Sequence, residues 1–112
     1  MAIDAGLKPP RPAIACRVDV WLWRARFAKT RTLAAAMVER GAVRLTHNGV
    51  QTRLDKPSRS VHVDDELVFV QGGRLLALRI SGLGERRGPP QEARALYQLL
   101  DEPEARPPAG RP

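Results

Sequence analysis

Residues 17–41 read RVDVWLWRARFAKTRTLAAAMVERG. Val18, Trp21, Leu22 and Ala25 recur at the i, i+3, i+4, i+7 spacing of one helical face, which predicts a helix over 18–27. Asp19 falls in its first turn, where a carboxylate suits the positive end of the helix dipole. After a break at Ala28-Lys29, Thr30 is suited to cap a second helix. Leu33, Ala34, Met37 and Val38 form the apolar face of that helix, and Gly41 ends it. The stretch is therefore a helix–break–helix unit.

Beyond Gly41 the apolar period drops to two, through Val43, Leu45 and His47. Asn48-Gly49 is a strong hairpin signal, because both turn positions need φ > 0. With these two as the loop, His47 faces Val50, Thr46 faces Gln51, Leu45 faces Thr52, Arg44 faces Arg53 and Val43 faces Leu54. One side of the hairpin is then apolar. Residues 55–58 read as a loop, 60–63 as a strand and Asp64-Asp65 as a turn. Strands follow at 67–70 and 75–80, joined through Gly72-Gly73. Residues 81–90 are irregular. Ala95, Leu96, Leu99 and Leu100 suggest a third helix over 91–100. The expectation is an α+β fold of two N-terminal helices on a small, mostly antiparallel sheet with a C-terminal helix. Residues 17–102 form the domain. Residues 1–16, with Pro9, Pro10 and Pro12, and 103–112, rich in Pro and Arg, read as flexible tails.

The chain carries a formal net charge of +7 and a sequence pI near 11.0. All of the excess lies between Arg17 and Arg59, where ten Lys/Arg meet three acids. Charge gathered on one folded unit repels itself and calls for a polyanion, the electrostatic footprint of nucleic-acid binding. Arg24, Arg26, Lys29 and Arg31 cluster at the helix junction. The free N–H groups near Thr30, Arg31 and Thr32 add an anion-binding helix terminus. Arg44, Arg53, Lys56, Ser58 and Arg59 make a second basic set on or after the hairpin. Trp21 belongs to the buried face, and Trp23 is offset from it.

Catalytic chemistry has little footing. His47 and His62 lack ligand spacing and read as packing or surface residues. Asp64-Asp65-Glu66 reads as a polar turn. The serines lack a nucleophile elbow. Cys16 is the single cysteine, which excludes an internal disulfide. No apolar run approaches a membrane span. These features point to a cytoplasmic monomer that is not an enzyme, with no cofactor, metal, membrane partner or small-molecule substrate.

Arg17-Val18-Asp19, Lys29-Thr30-Arg31-Thr32, Gly41-Ala42-Val43, Asn48-Gly49 and Val61…Asp65-Glu66-Leu67 together resemble the αL RNA-binding domain named after ribosomal small-subunit protein four. Asp19–Trp23 with Arg26-Phe27, Lys56-Pro57-Ser58, and Arg86-Arg87…Leu96-Tyr97 resemble its bacterial heat shock protein 15 branch. The resemblance implies binding to structured RNA by Arg17, Arg26, Lys29, Thr30, Arg31, Thr32, Arg40, Asn48, Lys56, Ser58 and Arg59. It further implies ribosomal RNA of a free large subunit carrying a stalled nascent chain and tRNA, in ribosome rescue and the heat-shock response. Val20 departs from the branch, which has Lys there, and the hairpin is longer than usual. Two alternatives remain. One is an RNA-binding subunit serving a separate pseudouridine synthase or methyltransferase. The other is a protein-binding adaptor that uses residues 91–100.

Overall fold

The computed structural model describes residues 15–100. The predicted tails lie outside the described residues except for Ala15 and Cys16, as do residues 101–102 of the predicted domain. Helix α1 spans Val18–Arg24 and helix α2 spans Arg31–Glu39. Asp19 shapes the start of α1. Its carboxylate accepts two bonds from the Arg17 guanidinium, at 3.0 and 2.9 Å, and one from the Val20 N–H at 2.8 Å. The helix ends before the predicted Phe27. Arg26 turns left-handed at φ 67°, and the Phe27 N–H reaches back to the Leu22 carbonyl at 2.9 Å. Thr30 caps α2 as predicted, its Oγ1 accepting from the Leu33 N–H at 3.0 Å. Leu33 itself is 51% exposed, so the apolar face of α2 rests on Ala34, Met37 and Val38.

The strands are β1 (Cys16–Arg17), β2 (Arg44–His47), β3 (Val50–Arg53), β4 (Ser60–Val61), β5 (Glu66–Gln71), β6 (Arg74–Ile80) and β7 (Tyr97–Leu99). Five of them form an antiparallel sheet in the order β3-β2-β5-β6-β7, and β1 pairs with β4. The β2–β3 register is the predicted one, from His47↔Val50 to Arg44↔Arg53. Asn48 and Gly49 take the positive φ values the turn requires, 50° and 80°. The third predicted strand is shorter than expected, because the chain turns after Val61. Cys16, assigned to the tail from sequence, is in β1.

The third helix departs from expectation. Helix α3 spans only Pro90–Arg94. After it the chain extends into β7 along the free edge of β6, pairing Tyr97 with Ile80 and Leu99 with Leu78. The Leu96 carbonyl accepts from Ser81 N–H and Gly82 N–H, at 2.8 and 3.1 Å, and the Leu100 N–H donates to Ala77 at 2.9 Å. The Ala77 carbonyl of β6 and the Ser81 and Gly82 N–H groups just after it would lack these partners beside a helix, and this outweighs the local helical spacing.

The core lies between the helix pair and the sheet. Val18, Trp21, Leu22, Val38, Val43, Leu54, Val61, Phe69, Leu67, Leu78 and Ile80 are buried there. Trp21 packs near Phe27 and Tyr97, with ring centroids 6.1 and 6.4 Å away. Its indole Nε1–H donates to the Gly82 carbonyl at 2.8 Å. Trp21→Phe removes that donor and part of the ring volume, so a loss of roughly 1–3 kcal/mol is expected. Trp21→Ala should cost more, about 3–5 kcal/mol. Urea denaturation measures both, and equal losses would show that the hydrogen bond and ring shape contribute nothing separable.

Candidate nucleic-acid interface

Local structure distributes the basic residues over three sites. Lys29, Thr30, Arg31 and Thr32 are exposed at the start of α2, where the N–H groups of the first turn face outward. Thr30 Oγ1 is used as the cap, so Thr32 has the freer hydroxyl. Arg44 and Arg53 face each other across the hairpin. Gly41, at φ 77°, lies directly under the Arg53 side chain, where an added Cβ would sit 3.4 Å from Arg53 Cδ. Arg40, beside it, is exposed, as is Asn48 at the hairpin tip. The third site forms where the 56–59 loop is stitched to the start of α1. The Val18 N–H donates to the Arg59 carbonyl at 2.8 Å and the Asp19 N–H to the Pro57 carbonyl at 3.3 Å. Together with the Arg17↔Ser60 pair, this brings Arg17, Lys56, Ser58 and Arg59 together. Lys56, Ser58 and Arg59 line a cavity of about 420 Å³ with Leu45, His47, Ser60 and His62.

The cations fall into two kinds. Among the described residues, Lys29, Arg31, Arg40, Arg44, Arg53, Lys56 and Arg59 are exposed and make no side-chain hydrogen bond or ion pair. Arg24, half-buried, and Arg26, exposed, are instead engaged by backbone carbonyls. Arg24 donates to the carbonyls of Leu83, at 3.3 Å, and Gly84, at 2.8 Å, and Arg26 to that of Gly88 at 2.8 Å. Arg87 returns the contact, donating to the Trp23 carbonyl at 3.1 Å. Trp23 is half-buried. Arg17 is intermediate in kind, exposed but held by Asp19. That hydrogen bond and charge raise its pKa and keep it cationic.

Residues 16–50, which hold β1, both helices and β2, match the S4 domain. Heat shock protein 15 of Escherichia coli K12 is 40% identical over 92 residues, 82% of this chain and 65% of that protein. The chain thus spans just under two thirds of that relative. A solved trimeric structure of Vibrio cholerae heat shock protein 15 is 38% identical, covers 79% of this chain and 84% of that one, and superposes with a TM-score of 0.69. The chain belongs to the heat shock protein 15 family. A Listeria innocua relative, named RQC P-site tRNA stabilizing factor, is 33% identical over 80% of this chain and 91% of its own length.

The heat shock protein 15 framework in this chain contains a cluster that spacing did not reveal. His47, His62 and Asp65 converge, and Asp65 is buried. Continuing the β2–β5 register beyond Thr46↔Glu66 sets His47 opposite Asp65. The signal was therefore a non-local strand pairing, absent from either histidine's own neighbourhood. The predicted turn forms one residue earlier, centred on Val63-Asp64 and closed by the Asp65 N–H on the His62 carbonyl at 3.1 Å, and Asp65 itself is buried.

The one cysteine is half-buried. Burial pushes the Cys16 thiol above its ordinary value, nearby Arg24 opposes this, and Asp19 adds to it. Folding therefore holds the thiol proton more tightly than the unfolded chain does. The associated stability is present below the ordinary thiol pKa and falls as pH rises through the raised one. At neutral pH, Cys16 should react with iodoacetamide more slowly than free cysteine. A rate equal to or above that of free cysteine would contradict this placement.

Proposed function

We propose that this protein binds structured RNA through the exposed cations of its S4 helix pair and hairpin, and acts on the ribosome without making or breaking bonds. One observation carries the reading. The whole net charge lies within 17–59, and seven cations there are exposed and unpaired among the described residues. Unpaired surface cations release counterions when they meet phosphates, which drives association. In this reading Lys29, Arg31 and Thr32 contact phosphate at the start of α2. Arg40, Arg44, Asn48 and Arg53 form the hairpin contacts, and Arg17, Lys56, Ser58 and Arg59 form the loop contacts. Thr30 orders the helix terminus, and Arg24 and Arg26 tie α1 and the turn after it to the carbonyls of Leu83, Gly84 and Gly88. The strand aromatics are Phe69, which is buried, and Tyr97, which is half-buried against Trp21 and Phe27, so neither offers an open stacking platform, and this favours a folded RNA over a single strand.

The finer reading is docking on large ribosomal subunits that carry a stalled nascent chain and tRNA. The family membership supports it, as does the name of the Listeria relative, which describes stabilisation of a P-site tRNA. In a lysate gradient the protein should travel with free large subunits, and more so when translation is stalled. Confinement to the top of the gradient at several salt concentrations would overturn the ribosomal reading.

The electrostatic reading has its own test. The double substitution Lys29→Ala and Arg31→Ala should weaken binding to a ribosomal RNA fragment and lower the salt slope by about 2. Thermal stability should be unchanged. Arg24→Ala should instead lower stability, since it frees the Leu83 and Gly84 carbonyls. Unchanged affinity in the double variant would remove the helix junction from the interface.

A further inference from the structure

The chain has two histidines, and both aim Nδ1 at one carboxylate. His47 ends β2, and His62 follows β4. The His47 Nδ1 lies 2.5 Å from Asp65 Oδ1 and the His62 Nδ1 3.3 Å from Asp65 Oδ2. The His62 backbone N–H fixes the carboxylate from a third direction, donating to Oδ2 at 2.9 Å. One ligand atom from each of the three residues lies within 4.8 Å of the others. We propose that His47, His62 and Asp65 form a binding site for a late first-row divalent cation such as Zn²⁺.

Chemistry selects that class of ion. Two imidazoles and one carboxylate suit Zn²⁺ or its neighbours, whereas Mg²⁺ and Ca²⁺ demand mostly oxygen ligands. Zinc–nitrogen and zinc–oxygen bonds of about 2.0–2.2 Å put tetrahedral ligands about 3.3 Å apart. The His62–Asp65 separation already has that value, and the His47–Asp65 separation must open by a fraction of an ångström. The imidazoles can make that adjustment, because their side chains are 44% and 39% exposed, while the Asp65 side chain is only 4% exposed. A buried carboxylate held in place, with two adaptable imidazoles around it, is the arrangement a metal needs to replace hydrogen-bonding protons. Both histidines also line the 420 Å³ cavity, which gives the ion an entry path and room for water to complete its coordination. Lys56 and Arg59 line the same cavity and oppose a second positive charge. Affinity therefore rests on the nitrogen ligands and should be highly selective against hard cations.

The site stands independently of the RNA reading, and its test uses metal alone. Untagged full-length protein should bind one equivalent of Zn²⁺ in calorimetry and show the visible absorption of tetrahedral Co²⁺. One equivalent of Zn²⁺ should move the ring-proton NMR signals of both histidines together, while excess Mg²⁺ should leave them in place. His47→Gln and His62→Gln, both at half-buried positions, should each weaken binding by at least about tenfold. Asp65→Asn should abolish binding if it folds, and the two histidine variants decide the matter if it does not. No saturable binding at one equivalent, histidine signals that do not move, or full affinity in both histidine variants would each overturn the proposal.

Discussion

The bond from the Trp21 indole to the Gly82 carbonyl joins two parts of the chain 61 residues apart. It is the constraint on which the rest of the molecule depends. Trp21 lies on the α1 face that packs against the core, and Gly82 follows the longest strand of the sheet. A buried indole N–H without a partner is costly, so the ring can enter the core only where a carbonyl meets it. The Gly82 carbonyl is in that position because the Gly82 N–H is itself held by Leu96. The segment after β6 therefore completes the seat of the first helix. Arg24, Arg26 and Arg87 repeat the connection nearby, each donating from a guanidinium to a main-chain carbonyl. They join the helix pair to the irregular 81–90 segment without requiring that segment to adopt regular structure.

This fastening separates two populations of arginine that composition treats alike. Those facing the 81–90 segment are consumed by backbone acceptors. Those on α2 and on the hairpin have no side-chain acceptor among the described residues. Their concentration raises the electrostatic self-energy of the folded state, and Arg44 facing Arg53 is its sharpest local instance. The β-hairpin tolerates the pair because the other side of β2 buries Leu45 at the centre of the sheet.

The sequence was most legible where structure is set locally. The Thr30 cap, the Gly41 stop, the Asn48-Gly49 turn and the full hairpin register follow from the φ/ψ demands of single residues and a period of two. The exposed residues of the basic surface were equally readable, because a solvated cation needs no particular neighbour. What escaped depends on distant pairing. Residues 91–100 have apolar spacing that suits a helix, yet the open edge of β6 draws Tyr97–Leu99 into a strand. Arg24 and Arg26 differ from Arg31 through carbonyls 59 to 62 residues away in sequence, which no local spacing encodes. His47 and Asp65 meet only because β2 pairs with β5, and no feature local to either residue encodes that pairing.

The hairpin strand β3 is one of the two outer edges of the sheet, and it is a short one. Among the described residues it leaves backbone donors and acceptors open beside an exposed Val50, a combination that invites edge-to-edge addition of another copy. Arg53 on that strand, with Arg44 opposite, guards the edge, since a second copy would bring the same cations against them. The guard is purely electrostatic. A polyanion that neutralises those arginines also disarms it, so crowded, charge-compensated molecules would be the ones prone to coalesce through their hairpins, and free ones would stay dispersed.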